Sequence, residues 1–354
     1  MRKADPYGMF YHFQRKVVDK NIHCRYLWPV AEVFRQTLRF YKKGDFTKRQ
    51  SMDWKRKVIA ASFAFFLFFT AFSPGDDSSQ RIDMGKIEND LLSEASGLAA
   101  SAKNPGVLWI HNDSGDTNRI FAMSVTGRHL GIYYLDDMKA RDWEDIAVAP
   151  GPVKGKSYLY LADTGDNDAK HLMKRIYRFE EPKVDTSQTA VDTVLASIDV
   201  ITFQYPDGKR DAEGLMVDPL SADIYIVSKR EQQSRLYRMP FPQSVSDIST
   251  AEFFTQLPFR NVTACDISPN GEGILIKNYK HVYFWKRDSQ LSVVEVVQNP
   301  PVELPYIVES QGEAICWSRD GGGYYTTSEE NEEEAHIYYY PFDDSKIKNQ
   351  EEGP

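Results

Sequence analysis

Cysteine is scarce in this chain of 354 residues: three in all, of which only Cys265 and Cys316 lie beyond residue 75. A two-cysteine domain of that size is not a disulfide scaffold, so packing has to hold it together. The sequence also contains no Gly-x-Ser-x-Gly, no His-Glu-x-x-His and no phosphate-cradling glycine loop. Those absences remove the serine-hydrolase elbow, the zinc-peptidase helix and the P-loop from consideration. His111, His171, His281 and His336 are scattered through the chain. Long apolar runs are lacking as well. The stretch "VIAASFAFFLFFTAF", Val58 to Phe72, is uncharged but shorter than the roughly 20 residues of a comfortable membrane helix. Finally, positive charge is lacking over most of the chain. The first 75 residues carry 15 Lys+Arg and 5 Asp+Glu, whereas the remainder carries 28 and 46, a net of −18. Such a surface repels nucleic acid and anionic membrane, which argues against both as partners.

What is present at the front is the pattern of an export signal. "MDWKRK", a Met followed by a basic cluster, precedes the apolar run, and Ser73 and Gly75 supply small residues for cleavage after Gly75. The expected organisation is a basic extension over 1–51, a signal peptide or signal anchor over 52–75, and a domain over 76–354. Two origins for the extension stay open: a start codon set too early, with Met52 the true start, or a cytoplasmic segment ahead of an uncleaved anchor, held inside by its Lys and Arg. Under either, the part after residue 75 is exported, to periplasm, cell surface or medium. A membrane would be met only through the 58–72 anchor.

The exported part repeats. "EASGLAAS" at 94, "DWEDIAVAP" at 142, "DAEGLMVDP" at 211, "TACDISPN" at 263 and "QGEAICWSRD" at 311 open five units. Their aligned apolar residues Leu98, Ile146, Leu215, Ile267 and Ile315 are spaced by 48, 69, 52 and 48 residues. A four-stranded propeller blade repeats every 40 to 50 residues or so. Each unit continues with β-branched and aromatic runs bounded by Gly, Asp, Asn or Pro, the mark of strands. Second strands read "GVLWIHND", "SYLYLAD", "DIYIVSK", "GILIKN" and "GGYYTTSE", and third strands read "RIFAMSV", "RIYRFEE", "SRLYRMP", "HVYFWKR" and "AHIYYYPF". Fourth strands read "HLGIYYL", "ASIDVITFQY", "AEFFTQL" and "LSVVEVVQ", and the fifth unit has none. "RIDMGKIEND" at 81–90 belongs to no unit and would complete the last one, closing the ring and removing its open edge. The expected fold is all-β, a five-bladed propeller closed by this N-terminal strand. A six-bladed ring is the alternative, with its extra blade in the 69-residue interval. In this register Cys265 matches Glu313, three residues before Cys316. Three strand residues span about 10 Å and reverse the side-chain direction, so two buried, unpaired thiols are expected.

The ring gives the acidic residues one address. The residues that lead into the inner strands are Ser96, Glu144, Glu213, Cys265 and Glu313, and the turns "HNDSGDTN", "ADTGDNDAK", "SKREQQS", "KNYKH" and "SEENEEEA" share their face. Three Glu therefore converge at one channel mouth, with Asp113, Asp116, Asp163, Asp166, Glu329 and Glu330 around them. Carboxylates held this close repel one another, and burial makes each costlier. Relief can come from Arg141, Arg210, Lys229 and Arg230, or from Ca²⁺ or another divalent cation, which takes six to eight oxygen ligands. His111, next to the "NDSGD" turn, could join either site. These turns are equally consistent with a solvated Asp-Gly rim.

The units "DAEGLMVDPLSADIYIVSKRE" and "GEAICWSRDGGGYYTTSEE" resemble the blade grammar of secreted bacterial propellers of the phytase-like and esterase-like type, and more distantly the gluconolactonase and SMP-30 propellers. The likeness covers about residues 94 to 340 and lies at the level of repeats. It implies acidic residues at one mouth holding a divalent ion that polarises a phosphate or lactone, with Glu144, Glu213 and Glu313 as ligands and Asp113, Asp163 and Asp166 nearby. Ser96 and Cys265 depart from a full acidic ring, and no dense Lys/Arg cluster suits phytate. Two functions follow as expectations: a metal-assisted hydrolase of phosphoesters or lactones, or a non-catalytic propeller that binds a glycan, peptide or envelope protein. The partner in general is a small-molecule or glycan/protein ligand at the channel mouth. A monomer is expected.

Overall fold

The computed structural model describes residues 81–344 apart from 188 and 331–333. The expected extension and export signal lie outside the described residues. Within them, five sheets, each built on four antiparallel strands, form a five-bladed β-propeller. Blade 1 runs outward through β2 (Ala95–Ala100), β3 (Val107–Asn112), β4 (Arg119–Ser124) and β5 (His129–Leu135). Blade 2 uses β6 (Trp143–Pro150), β7 (Ser157–Asp163), β8 (Lys174–Glu180) and β10 (Asp199–Gln204). Blade 3 uses β11 (Ala212–Val217), β12 (Ile224–Ser228), β13 (Arg235–Met239) and β15 (Glu252–Gln256). Blade 4 uses β16 (Val262–Ile267), β17 (Gly273–Asn278), β18 (Val282–Lys286) and β19 (Val302–Leu304). Blade 5 uses β20 (Ala314–Trp317), β21 (Gly323–Thr327) and β22 (His336–Pro341), and its outer strand is β1 (Ile82–Lys86), paired antiparallel with β22. The strand expected to close the ring does so.

There is no central core. Five apolar clusters lie between successive blades instead, and every inner strand contributes alternate residues to the two clusters that flank it. Leu98 packs between blades 5 and 1 while Ala99 packs between blades 1 and 2. This explains why β3 and β11 are buried along their whole length, and why the sequence reads as apolar runs rather than as strict alternation.

One alternative and two expectations are set aside. The 69-residue interval holds no sixth blade. Its surplus is β9 (Val191–Leu195), which runs back from blade 2 to pair in parallel with β5 of blade 1. Blade 3 does the same on a smaller scale through β14 (Ser249–Thr250), parallel to β10. Second, "LSVVEVVQ" is not the fourth strand of unit four. It forms the helix α1 (Val293–Val297), started by a capping box between Ser292 and Glu295, with Val293, Val294, Val296 and Val297 all buried. The fourth strand follows it, as β19. Helical spacing of the four valines and the Ser-x-x-Glu signal outweigh their β propensity here.

Third, the register of unit four is shifted. A bulge near the start of each of β2, β6, β11 and β16 leaves one residue unpaired: Ser96, Glu144, Glu213 and Thr263. The mouth residue of unit four is thus Thr263, not Cys265, which takes the place of Leu215 and Ile315. The two thiols are nevertheless unpaired and buried. Cys265 faces the cluster between blades 3 and 4, and Cys316 the one between blades 5 and 1.

Candidate functional site

The bulges build the mouth. An unpaired residue at the start of an inner strand is released from the alternation that would bury it between blades, and its side chain is set where the strand enters the channel. In ring order these positions are Ser96, Glu144, Glu213, Thr263 and, just before β20, Glu313.

Around them the carboxylates form an arc. Ligand oxygens of Asp113, Glu313 and Glu329 lie within 4.8 Å of one another, as do those of Asp113, Asp142 and Glu144, and those of Glu144, Asp211 and Glu213. Asp113 and Glu144 each belong to two groups, so the arc is continuous from Glu329 to Glu213. Lys229 closes it. Its Nζ pairs with Glu213, lies 3.8 Å from Glu313 and donates to Tyr279 Oη at 2.8 Å, while Tyr279 Oη donates to Glu313 Oε1 at 2.6 Å. Arg230 adds a half-exposed guanidinium whose Nε is 2.5 Å from Asp211 Oδ2.

Lys229 and Arg230 leave the middle of the arc, around Glu144, uncompensated. Glu144 is 3% exposed. Its carboxylate has no hydrogen bond and no cation partner among the described residues. Burial drives its pKa well above the usual carboxylate value, and Glu213, Asp113, Asp142 and Asp211 push it the same way. Asp113 is raised to about 6, chiefly by burial, and Asp142 is raised by burial and by Asp211. Glu329 rises to about 7 through burial and the Glu313 charge. Burial also raises Glu213, against the opposing pull of Lys229. Burial disfavours the Lys229 ammonium, but Glu213 and Glu313 outweigh it and raise its pKa. Thr263 Oγ1 is buried without a partner at the equivalent position of blade 4.

Glu144, Glu213, Glu313, Asp113, Lys229 and Arg230 therefore meet at the mouth as the repeat predicts. Asp163, Asp166, Arg141, Arg210 and His111 are engaged elsewhere. Asp163 is buried, accepts from the Asp142 backbone N–H at 3.0 Å and faces Arg141 and Arg175. Asp166 ties down its own turn, accepting from Lys170 N, His171 N and Lys174 Nζ, and these donors lower its pKa against the effect of burial. Arg141 donates to the carbonyls of Asp163 and Met173, and Arg210 pairs with Asp207 and Glu231. His111 is wholly buried, with Nδ1 2.7 Å from Asn112 O, and burial lowers its pKa to about 4.

Asp142 and Asp211 are members that the repeat reading passed over. Each stands two residues before a mouth Glu, in "DWE" and "DAE", so an Asp-x-Glu pair at the head of a blade was the available signal. Deeper in the channel are two further acids it missed. Asp145 is fully buried, and its carboxylate accepts from Ile146 N, Leu215 N and Cys265 N, tying blade 2 to blades 3 and 4. Asp266 accepts from Ile267 N and Trp317 N, tying blade 4 to blade 5. Both are raised by burial against those donors, Asp266 to about 7.

No family model matches the chain, and no curated protein does. Among solved structures, the Dos1 propeller is similar over 77% of this chain and 98% of its own, at 7% identity and a TM-score of 0.34. An auxiliary nutrient binding protein from Bacteroides thetaiotaomicron is similar over 73% of this chain and 76% of its own, at 9% identity and a TM-score of 0.40. Among the described residues no helix is long and apolar enough to cross a membrane.

Proposed function

We propose that this propeller is an exported ligand-binding protein whose mouth takes up a divalent cation, Ca²⁺ first, and through it an oxygen-rich ligand. The observation that carries the reading is Glu144, a buried carboxylate without hydrogen bond or counter-ion beside four further carboxylates. A buried charge in that position needs a cation or a proton. The donor set suits a hard cation, since all three groups offer carboxylate oxygen and neither His nor Cys. Oxygens that fall within 4.8 Å of one another fit around one ion at the 2.3–2.6 Å or so of a Ca²⁺–oxygen bond. A loaded mouth also reverses the local sign of charge, so an anionic or carbonyl oxygen can approach a surface that would otherwise repel it.

A second reading, hydrolysis of a phosphoester or lactone at the same place, is favoured by Lys229. Its ammonium sits at the mouth beside Glu213 and Glu313, where it could stabilise negative charge developing on a cation-bound oxygen. It is the reading implied by the phytase-like and gluconolactonase resemblance. Binding comes first because His111, the histidine that could have joined the site, is fully buried.

The test is calorimetry and thermal melting of chelator-treated protein with Ca²⁺, Mg²⁺ and Mn²⁺, wild type against Glu144→Gln. Heat of binding and a rise in Tm are expected for the wild type, both strongly reduced in the variant. Absence of heat and of any Tm shift with all three ions sinks the proposal. Phosphoester and lactone screens on the loaded protein then separate the two readings.

A further inference from the structure

A cavity of about 600 Å³ opens on the face opposite the mouth, at the boundary of blades 3 and 4. Its walls are the turn between β11 and β12, parts of β13 and β15, and the connection through α1. Its origin lies in the repeat. In blades 2 and 3 the connection from third to fourth strand reaches back to the preceding blade as a short parallel strand. In blade 4 that connection is α1, whose valines join the cluster between blades 3 and 4. A helix on a blade edge leaves space that a paired strand would fill. A local departure from an otherwise regular repeat is also where function tends to be placed.

The charges in its walls are already paired with one another. Arg287 binds Asp218 through both ends of its guanidinium, at 2.8 and 3.0 Å, with both residues buried. Asp218 further accepts from Leu220 N and Ser221 Oγ, which braces the β11–β12 turn. Arg238 Nε donates to Asp223 Oδ2 at 2.8 Å, and its guanidinium lies over the Phe254 ring. Glu295 turns back on to Ser292. The frame is therefore rigid and preformed, and no unpaired cation is left to select an anion. The polar groups left in the lining are neutral: the Oη of the buried Tyr225 and the exposed side chains of Ser289, Gln290 and Gln298 have no hydrogen-bond partner among the described residues. Facing the same space are Leu220 and Leu291, which are 51% and 43% exposed.

A set of neutral donors and acceptors beside an apolar strip matches the two faces of a sugar ring, hydroxyls at the edge and C–H groups on the flat side. We propose that this cavity is a binding site for a neutral saccharide, separate from the acidic mouth and independent of any cation there.

The experiment is a glycan array probed with the full-length protein, carrying neutral, sulfated and sialylated glycans, followed by calorimetry with the strongest neutral oligosaccharide retained. The wild type is compared with Leu291→Trp, which fills the cavity, with Gln290→Ala and Tyr225→Phe, which remove polar groups, and with Glu144→Gln at the mouth. Residues 290 and 291 are on the surface, so an unchanged Tm in those variants checks the fold. Expected results are retention of neutral glycans, affinity at least tenfold lower in Leu291→Trp, a several-fold loss in the two polar variants, and no change in Glu144→Gln. Retention of no neutral glycan, retention of anionic glycans alone, or neutral binding that survives Leu291→Trp or disappears with Glu144→Gln would each overturn the proposal.

Discussion

Glu144 sets burial against charge more sharply than any other residue at the mouth, and the sign of the conflict is testable. An acid whose pKa is higher in the folded protein than in the unfolded chain subtracts stability. The penalty is absent below the unfolded value, near 4.5, and grows as pH rises toward the folded value. Glu144→Gln removes that penalty. In metal-free buffer the variant should therefore melt a few degrees above the wild type at pH 8, with the gap narrowing toward pH 5, as followed by circular dichroism. Asp145 poses the opposite case. Its carboxylate satisfies three backbone N–H groups that face the channel from blades 2, 3 and 4. Asp145→Ala leaves those donors buried and unpaired, at about 1–3 kcal/mol for each that water does not reach. A drop of several kcal/mol in urea unfolding is expected, and a variant as stable as wild type would show that Asp145 does not hold the blades together.

Elements close the ring where glycine lets them approach. Gly127, at φ +82°, lies against the carbonyl of Lys86 at the end of β1, so that an added Cβ has no room. Gly115, in the "NDSGD" turn, has a similarly positive φ of +95° but open space around it. Gly127→Ala combines steric overlap with backbone strain and should cost several kcal/mol by displacing β1 from β22. Gly115→Ala carries the strain alone, about 1 kcal/mol. Equal losses in urea melts would contradict this account of how the closing strand is seated. Helix α1 gives a smaller test of the same kind. Ser292→Ala removes the cap that accepts from Glu295 N, and a loss of about 1 kcal/mol is expected.

Over the whole molecule the raised acids share one direction. Asp113 at about 6, and Asp266 and Glu329 at about 7, hold protons in the folded state that the unfolded chain has released. Metal-free protein should therefore lose stability as pH rises from about 4 to 7, with Tm higher at pH 5 than at pH 8. Below pH 4 the lowered acids Asp166 and Asp207 act in the opposite sense, since protonation abolishes their pairing. A Tm that peaks near pH 5 in chelator, and shifts toward neutral pH when Ca²⁺ is added, is the expected profile. A maximum at pH 7 to 8 without metal would mean that the mouth carboxylates are satisfied by the protein alone.

While the structure decided the 69-residue interval, the sequence by itself determined the fold class and the closing strand and put five blades first. These follow from local strand patterns repeated five times, and from the absence of a fourth strand in one unit alongside a spare at the other end. It also brought Glu144, Glu213, Glu313 and Asp113 to one mouth, because equivalent positions in a ring share an address. Only the tertiary structure decided the register of unit four. A bulge releases Thr263 from the ladder, and whether a strand bulges depends on its partner strand rather than on its own residues. The same holds for Asp163, Asp166 and Arg141, whose partners are supplied by neighbouring strands and turns and draw them away from the arc. The valines of α1 fit a strand by propensity and a helix by spacing, and the cluster between blades 3 and 4 decides between them. Burial of Glu144 without a partner, and the cavity beside α1, arise from the way whole blades pack side by side, which no single repeat encodes.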